Sequence, residues 1–374
     1  MNNLPNGWQV KSLSELFDLK QGKHLPLIEL NGGSYPVFGA NGLVGYFNEF
    51  MYEEPTLLVT CRGATCGSIN FTLPFSWVTG NAIALIPKEQ INNSFFYYQL
   101  RNQSFSDVIS GSAQPQIIVT TLSKKKILVP PLPIQKQIAE ILEKADQAKQ
   151  KRKEANKLTD EFMQSVFIEM FGDPVKNPMG WERVKAKKLF EIKLGKMRSE
   201  KHITGKHLKP YLRNINVQWG RLDLSDIKQM DFDPNEQKKY SLKKGDILVC
   251  EGGEVGRTAI WNGEVDDIYY QNALHRLRTK SDQINSMYFL YFMFFAAKYG
   301  LILRRTSVVT IAHFTAEKFN EFEIMLPPLQ LQQQFAELVN KTEALKEKQK
   351  QSEREMENLF QSLMQKAFKG ELVY

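Results

Sequence analysis

The chain has 374 residues, of which 42% are hydrophobic and 24% are charged, as is typical of a soluble globular protein of two or three domains. Its longest apolar run, residues 287–297, is shorter than the roughly 18 residues that a membrane span needs, so it predicts a buried, aromatic-rich helix. The first residues lack the layout of an export signal. Three cysteines exclude a disulfide framework, and a cytoplasmic location is expected.

The formal net charge of +8 lies in one half of the chain. Residues 1–173 hold 16 basic and 16 acidic side chains, whereas residues 174–374 hold 33 basic and 25 acidic ones. Within the second half, the excess lies in residues 174–326, with 26 basic against 18 acidic side chains. A basic globular segment indicates a polyanionic partner, nucleic acid first, although many basic domains bind none.

In chain order, the first predicted domain starts at Gly7 with "GWQVKSLSELFDLKQGK". Strand-like runs follow in "YPVFGANGLVGYF", "TLLVTCRG", "GSINF" and "NAIALIP", and then a helix in "NNSFFYYQLRNQ", where Asn or Ser caps the first turn. The run "KILVPPL" ends a strand, and its prolines suit the first turn of a helix. These elements predict a mixed α/β domain followed by a long helix.

The same order of elements occurs a second time. Gly180 opens "GWERVKAKKLFEIKLGK", strand-like runs follow in "YLRNINVQWG", "DILVCEGGEVGRTAIW" and "NALHRLRT", and "INSMYFLYFMFF" predicts a helix before "FEIMLPPL". The two starts match at an offset of 173 residues and the two Pro-Pro motifs at 197, so the second unit is 24 residues longer in its middle. The chain is therefore predicted to be a tandem duplication, with a period too long for a solenoid.

The two long helices are predicted to form a coiled coil. The first contains no glycine or proline between Pro133 and Gly172, and the second contains none between Pro328 and Gly370. Each stretch has about 40 residues, or roughly 60 Å of helix. Apolar residues recur at heptad-like spacing around a polar waist. A second apolar face either packs on the domains or is completed by another protein. In the latter case, the predicted partner contacts are Leu142, Met163, Phe167, Phe360, Met364 and Phe368.

A Gly-Trp start, a variable domain and "(I/L)PPL…Q…(I/F)AE(I/L)" opening a long helix, all occurring twice, resemble the specificity subunit of type I restriction-modification enzymes. The first copy departs from the pattern at Val129. The resemblance implies an α+β fold: two homologous mixed α/β target-recognition domains joined by two long antiparallel helices, with a pseudo-two-fold internal repeat. It implies domains at residues 1–129 and 174–326, and helices at 130–173 and 327–374.

The resemblance also implies the partners: double-stranded DNA, two modification (methyltransferase) subunits, and restriction (translocase/nuclease) subunits. The chain has no Asp/Asn-Pro-Pro-aromatic motif, no Walker lysine motif and no metal-ligand spacing among its histidines, and "GGEVG" from Gly252 is interpreted as a turn. We therefore expect a DNA reader and scaffold without an active site, with S-adenosylmethionine, ATP and Mg bound by partner subunits. Two alternatives stay open: a recognition module for a different phage-defence methyltransferase, and an autonomous DNA-modifying enzyme.

Candidate DNA contacts lie in the polar loops, because Arg, Lys, Asn and Gln in turns are the usual readers of base edges. In the second domain the predicted readers are Arg213, Asn214, Asn216, Gln218, Gln271, His275, Arg304 and Arg305, and the predicted phosphate contacts are Lys196, Arg198, Lys201 and Arg257. In the first domain the predicted contacts are Lys23, Asn41, Arg62, Ser112, Gln114 and Gln116. Each of these side chains has a solvated or turn-capping role as its alternative.

Two quantitative expectations follow from the pattern. Because the net charge lies in the second half, the second domain is expected to supply more of the salt-dependent DNA affinity. Two similar but diverged domains should read two different half-sites, separated by an unread spacer whose length depends on the long helices.

Overall fold

A computed structural model describes residues 5–30, 32–111, 113–197, 205–303 and 314–372. The chain divides into two compact units, Met1–Ala155 with Gln349–Tyr374, and Asn156–Lys348. Each unit therefore combines one mixed α/β domain with one half of each long helix. Within the described residues, no helix combines the length and the hydropathy that crossing a membrane requires.

The first unit contains a mixed α/β domain. Its elements are β1 Gln9–Ser12, α1 Leu13–Leu16, β2 Phe17–Gln21, β3 Tyr35–Gly39, β4 Gly42–Phe47, β5 Leu57–Thr60, β6 Ile69–Phe71, β7 Trp77–Val78, β8 Ala82–Pro87, α2 Asn93–Arg101, α3 Val119–Leu122, β9 Lys126–Val129 and the long helix α4 Leu132–Phe171. Strands β2, β8, β5 and β6 form an antiparallel sheet in that order. A smaller sheet has the order β4-β3-β7, and β1 pairs with β9.

The second unit repeats this plan. Its elements are β10 Glu182–Lys185, α5 Ala186–Leu189, β11 Phe190–Leu194, β12 Leu208–Leu212, β13 Val217–Gln218, β14 Arg221–Leu222, β15 Lys228–Asp231, α6 Pro234–Tyr240, β16 Ile247–Cys250, β17 Thr258–Ile260, β18 Tyr269–Tyr270, β19 Leu274–Thr279, α7 Ser286–Lys298, α8 Ala316–Asn320, β20 Glu323–Leu326 and the long helix α9 Leu329–Lys369. The sheets have the orders β11-β19-β16-β17 and β15-β12-β18, and β10 pairs with β20. The hairpin β13–β14 and helix α6 lie in the longer middle of this domain.

The helix predictions are confirmed. The Oδ1 of Asn92 accepts a hydrogen bond from the Phe95 amide at 2.8 Å and caps α2. The Oδ1 of Asn285 caps α7 in the same way, at 2.8 Å from the Met287 amide. Helix α7 is the predicted buried aromatic helix, and seven of its thirteen residues are buried. Both Pro-Pro motifs lie directly before a long helix, as their backbone geometry favours.

The long helices bury their apolar faces within the chain. In the first unit, Leu142 of α4 and Phe360 and Met364 of α9 belong to one core cluster. In the second unit, Met163 lies against Thr342, and further along α4, Phe167 lies 5.5 Å from Phe335, so the two helices run antiparallel there.

This arrangement overturns the predicted partner interface. Leu142, Met163, Phe167, Phe360 and Met364 are each at most 5% exposed, and Phe368 is half-buried against Phe95. The prediction that these six residues contact another protein is therefore wrong for the five buried side chains. Amphipathic spacing shows that a helix face is covered, but it does not show whether the cover comes from the same chain.

The polar waist of the helices contains a buried cation. The ammonium of Lys149, in a side chain 9% exposed, lies 3.4 Å from Asp146 and 3.3 Å from Glu357. It also lies 4.2 Å from the ring centroid of Phe360, close enough for a cation–π interaction. A buried charge is stable only when its partners are in place, so this contact favours one register of α4 against α9.

One glutamine joins each long helix to its domain. The Oε1 of Gln332 accepts a hydrogen bond from the Asn285 amide at 2.8 Å, and its Nε2 donates to the carbonyls of Gln283 and Pro327 at 2.9 and 2.8 Å. Gln135 makes the equivalent bonds in the first unit, from the Asn92 amide at 3.0 Å and to the Pro130 carbonyl at 2.9 Å. Both side chains are buried. The repeated glutamine thus connects the start of a long helix to the cap of a domain helix.

Replacement of Gln332 by Leu should destabilise the protein. The substitution leaves the buried Pro327 carbonyl and the partly buried Asn285 N–H and Gln283 carbonyl without this partner, and an unpaired buried group costs about 1–3 kcal/mol. We expect the free energy of unfolding to fall by about 3 kcal/mol, measured by urea denaturation followed by circular dichroism. The exposed Gln333, changed to Leu, is the matched control. An equal loss in both variants would show that the buried hydrogen bonds contribute nothing specific.

Candidate nucleic-acid interface

A Gly-Lys pair ends the first strand of each four-stranded sheet. A Cβ atom on Gly22 would overlap the carbonyl oxygen of Thr79, and one on Gly195 would overlap that of Gln271. The next residues, Lys23 and Lys196, form parallel bridges with the same two partners. The repeated Gly-Lys is therefore explained by the close approach of two backbone segments, where only glycine fits.

In the first domain, loops from several strands meet at this end. The Thr65 hydroxyl donates a hydrogen bond to Oδ1 of Asn41 at 2.9 Å, which joins the β3–β4 turn to the loop after β5. Arg62 forms a backbone bridge with Gln116, which brings in the loop before α3. These contacts place four separate chain segments, including the one with Lys23, at the same end of the domain.

The side chains of this cluster are available to a ligand. Lys23, Asn41, Arg62, Gln114 and Gln116 are all exposed, and neither of the two cations forms an ion pair with any described residue. The structure brings these five residues to one end of the domain, and their role as DNA contacts stays a prediction. Sequence reasoning missed exposed Thr65 and Asn81, whose signals are the "RGAT" and "TGNA" turns that follow β5 and β7. A polar surface with unpaired cations suits a polyanion.

In the second domain, two of the predicted readers support a loop. Asn216 is buried, its Oδ1 accepts from the Arg213 amide, and its Nδ2 donates to the carbonyls of Asp223 and Asp226. The Arg213 guanidinium forms an ion pair with Asp226 at 2.7 Å. Both side chains hold the loop between β12 and β15, so the prediction that Asn216 contacts DNA is wrong.

Other predicted contacts in this domain are paired within the chain. Lys196 donates to Glu236 and to the Asp231 carbonyl, and Arg257 donates to Glu254 at 3.2 Å and to the Asn214 carbonyl at 2.7 Å. The amide of Gln218 donates to the Ile215 carbonyl at 2.9 Å. Asn214, Gln218 and Gln271 are partly exposed at this end of the domain. Because several cations of the second domain are already paired, its larger share of salt-dependent affinity stays a prediction.

His275 is a core residue, which corrects its predicted role as a base reader. Its side chain is fully buried on β19, and its Nε2 lies 2.7 Å from the carbonyl oxygen of Phe314. Burial lowers the pKa of His275 to about 4, against the smaller opposing effect of the Phe314 carbonyl. A neutral, buried imidazole has no access to a DNA groove.

Five of the predicted contacts lie outside the described residues: Ser112, Arg198, Lys201, Arg304 and Arg305. Their roles stay predictions. In sequence they fall between α2 and α3, between β11 and β12, and between α7 and α8.

Comparison with known proteins gives a consistent result. The family model for the type I restriction modification DNA specificity domain matches residues 5–159 and 178–357. The type I restriction enzyme specificity subunit S.HindORF215P of Haemophilus influenzae is 24% identical over 328 residues, which cover 84% of this chain and 81% of that protein. The S subunit of a type I restriction-modification system from M. genitalium has a similar fold, with a TM-score of 0.62, 17% identity, and coverage of 98% of this chain and 97% of that one.

A further solved structure matches over the full length of both chains. It comes from a study of complex assembly and conformational transition in the type I restriction-modification system, with a TM-score of 0.63 and 18% identity. At this identity the likeness concerns the fold. It supports the two-domain repeat with mixed helix and sheet content.

His275 should make the stability of the protein depend on pH. An unfolded histidine titrates near 6.5 and the buried one near 4, so the unfolded chain binds the proton first and stability falls as the pH drops through this interval. Between pH 7.5 and pH 5, we expect a loss of about 2 kcal/mol from this residue. His275→Gln keeps an N–H donor but does not titrate. In this variant, urea denaturation should show no such loss of unfolding free energy between the two pH values. The exposed His207→Gln is the control, and an unchanged pH profile in His275→Gln would contradict the assignment.

Proposed function

Since this chain belongs to the family of type I restriction-modification DNA specificity subunits, we propose that the loop cluster at the Gly-Lys end of each domain reads one half of a bipartite DNA site. The chain is a DNA target-recognition subunit, and its role is recognition and not catalysis. Because the two domains share a topology but differ in their loops, the two half-sites should differ in sequence.

The observation that carries this proposal is the exposed cluster of the first domain. It joins Lys23 and Arg62, which form no ion pair with any described residue, to the amides of Asn41 and Gln116, and backbone bridges and a side-chain hydrogen bond between loops bring all four to one end. Cations without carboxylate partners bind phosphates, and side-chain amides and Arg discriminate between base edges. In the second domain, partly exposed Asn214, Gln218 and Gln271 occupy the corresponding end.

The partner proposal is revised because five of the six predicted contacts are buried. The chain is a subunit of a multi-subunit system, and we propose that modification subunits dock on apolar side chains of the long helices that remain exposed. These are Leu158 and Phe162 on α4, and Leu338, Leu345 and Leu359 on α9, each at least 42% exposed. Leu338, Leu345 and Leu359 are separated by multiples of seven residues, so they share one helix face. Phe162 and Leu359 are equivalent in the duplication.

In this proposal, the modification subunits bring S-adenosylmethionine, and restriction subunits bring ATP and Mg. The complex acts where chromosomal DNA lies, in the cytoplasm. The chain itself supplies sequence recognition and the surfaces on which the other subunits assemble.

Arg62→Ala should weaken DNA recognition by the first domain. The native target is first identified by mapping methylated positions in DNA treated with the complete modification complex. We then expect binding of that target to fall about tenfold, through the loss of an exposed cation in the loop cluster. Lys124→Ala removes the same charge from the turn after α3, near the opposite end of β2, and should have no effect. Equal losses in both variants would argue against a local contact at Arg62.

The spacer between the half-sites should follow the length of the helices. Insertion of seven residues at matched places in the polar waists, residues 147–156 and 344–353, keeps the heptad in phase and adds roughly 10 Å of helix. At about 3.4 Å per base pair, the preferred spacer should grow by about three base pairs, with both half-sites unchanged. Methylation mapping with the assembled variant measures this. An active complex with the original spacer would mean that the helices do not set the distance.

A further inference from the structure

Three aromatic rings form an exposed cluster on the first domain, outside the candidate interface. The ring of Phe50 lies 4.9 Å from Tyr35 and 5.3 Å from Phe75, measured between centroids. Phe50 is 37% exposed and Phe75 is 47% exposed, and the neighbouring Leu73 is also exposed. Aromatic side chains of this size are usually buried, so two exposed rings packed with the partly exposed Tyr35 require an explanation.

The backbone at Phe75 makes this exposure more unusual. Its φ is +54°, in the left-handed region, where a bulky residue is rare and Asn or Asp is more common. In the second domain, Asp267 also has a φ of +54°. The two positions are equivalent. Phe75 lies two residues before Trp77, which pairs in parallel with β3, and Asp267 lies two residues before Tyr269, which pairs in parallel with β12. The first domain therefore keeps an aromatic ring where the fold favours a small polar residue.

The partner of Phe75 differs between the domains in the same way. In the second domain, Asp267 forms an ion pair with Lys209 at 2.5 Å. The position equivalent to Lys209 in the first domain is Tyr35, because Val37 pairs with Trp77 as Tyr211 pairs with Tyr269. An ion pair in one copy is thus replaced in the other by two aromatic rings, 6.5 Å apart.

Three glutamates belong to the chain segments that carry or pair with these rings. Glu49 lies next to Phe50, and Glu53, whose carbonyl accepts from the Phe75 amide at 3.0 Å, lies in the segment paired with it, followed by Glu54. All three carboxylates are exposed, and none forms an ion pair with another described residue. Residues 24–61 contain four glutamates and no lysine or arginine. We name the three rings with these three glutamates the acidic aromatic patch.

The patch lies at the end of the domain away from the candidate DNA interface. Three strands run from the patch to the loop cluster. Strand β3 begins at Tyr35, β5 begins shortly after Glu54, and β7 begins shortly after Phe75. Each of them ends next to the loop cluster. The carboxylates would repel a phosphate backbone, so the patch does not suit DNA. Its chemistry suits a cation, which aromatic faces and carboxylates attract together.

We propose that the acidic aromatic patch binds a lysine- or arginine-bearing segment of a partner protein. The cationic side chains lie over the rings of Tyr35, Phe50 and Phe75, while Glu49, Glu53 and Glu54 pair with their charges. The charge complementarity selects a basic segment, and the rings select it over simple counter-ions. This binding is independent of the proposed DNA contacts, since none of the patch residues belongs to the loop cluster.

The test uses the full chain and a fluorescein-labelled peptide of five Arg-Gly repeats. The double variant Tyr35→Lys, Phe75→Asp introduces the ion pair that the second domain holds at these positions, so the fold should tolerate it. Fluorescence anisotropy at 0.15 M NaCl should show binding to the unaltered chain, and binding at least tenfold weaker to the variant. A peptide of five Glu-Gly repeats should bind neither protein.

The control exchanges two other exposed apolar residues for one lysine and one aspartate. Leu43→Lys, Val44→Asp lies on β4 of the same hairpin, and should leave peptide affinity unchanged. If the double variant proves unstable by thermal denaturation, Phe50→Ala replaces it and should weaken binding severalfold. Equal affinity of the peptide for the unaltered chain and the patch variants would overturn the proposal.

Two further outcomes would assign the patch to another occupant and also overturn the proposal. In the first, duplex DNA displaces the peptide from the unaltered chain but does not displace it from the Arg62→Ala variant. This result would link the patch to the DNA interface. The other is self-association of the unaltered chain, measured by analytical ultracentrifugation, that disappears in the patch variant. The latter would identify a second copy of this chain as the occupant.

Discussion

The buried side-chain amides of Gln135 and Gln332 determine how each recognition domain is attached to the long helices. Each amide bonds the cap residue of a domain helix on one side and the proline carbonyl before a long helix on the other. Because these glutamine side chains are buried, a change in angle between helix and domain would leave polar groups unpaired away from water. The loops at the far end of the four-stranded sheet therefore have a fixed orientation relative to the start of their helix.

The features that sequence could predict are those set by local chemistry. The Pro-Pro starts and the long stretches without glycine or proline predicted both long helices, and the Asn caps predicted α2 and α7, because each signal acts within a few residues. The Gly-Lys pair was visible as a repeat, but its cause was not, since Gly22 and Thr79 approach each other only in the folded sheet.

The predictions that failed depended on distant partners. Asn216 and His275 have the chemistry of base readers, but one closes a loop through two backbone carbonyls and the other bonds Phe314 in the core. Phe167 and Phe360 have the chemistry of an interface, but the covering surface belongs to the same chain. Residue type and spacing do not carry this information, because each of these contacts joins segments far apart in sequence.

The order in which the chain is synthesised has a consequence for the first unit. Leu142 shares a core with Phe360 and Met364, which follow it by more than two hundred residues. At about 5–20 residues per second, a ribosome takes roughly 10–40 s to cover that distance. During this time the apolar stripe of α4 in the first unit is without its cover, whereas the second unit can close as soon as α9 begins to emerge. The first domain to be synthesised is therefore the last to be completed. During this delay the exposed apolar stripe of α4 is a binding site for a chaperone.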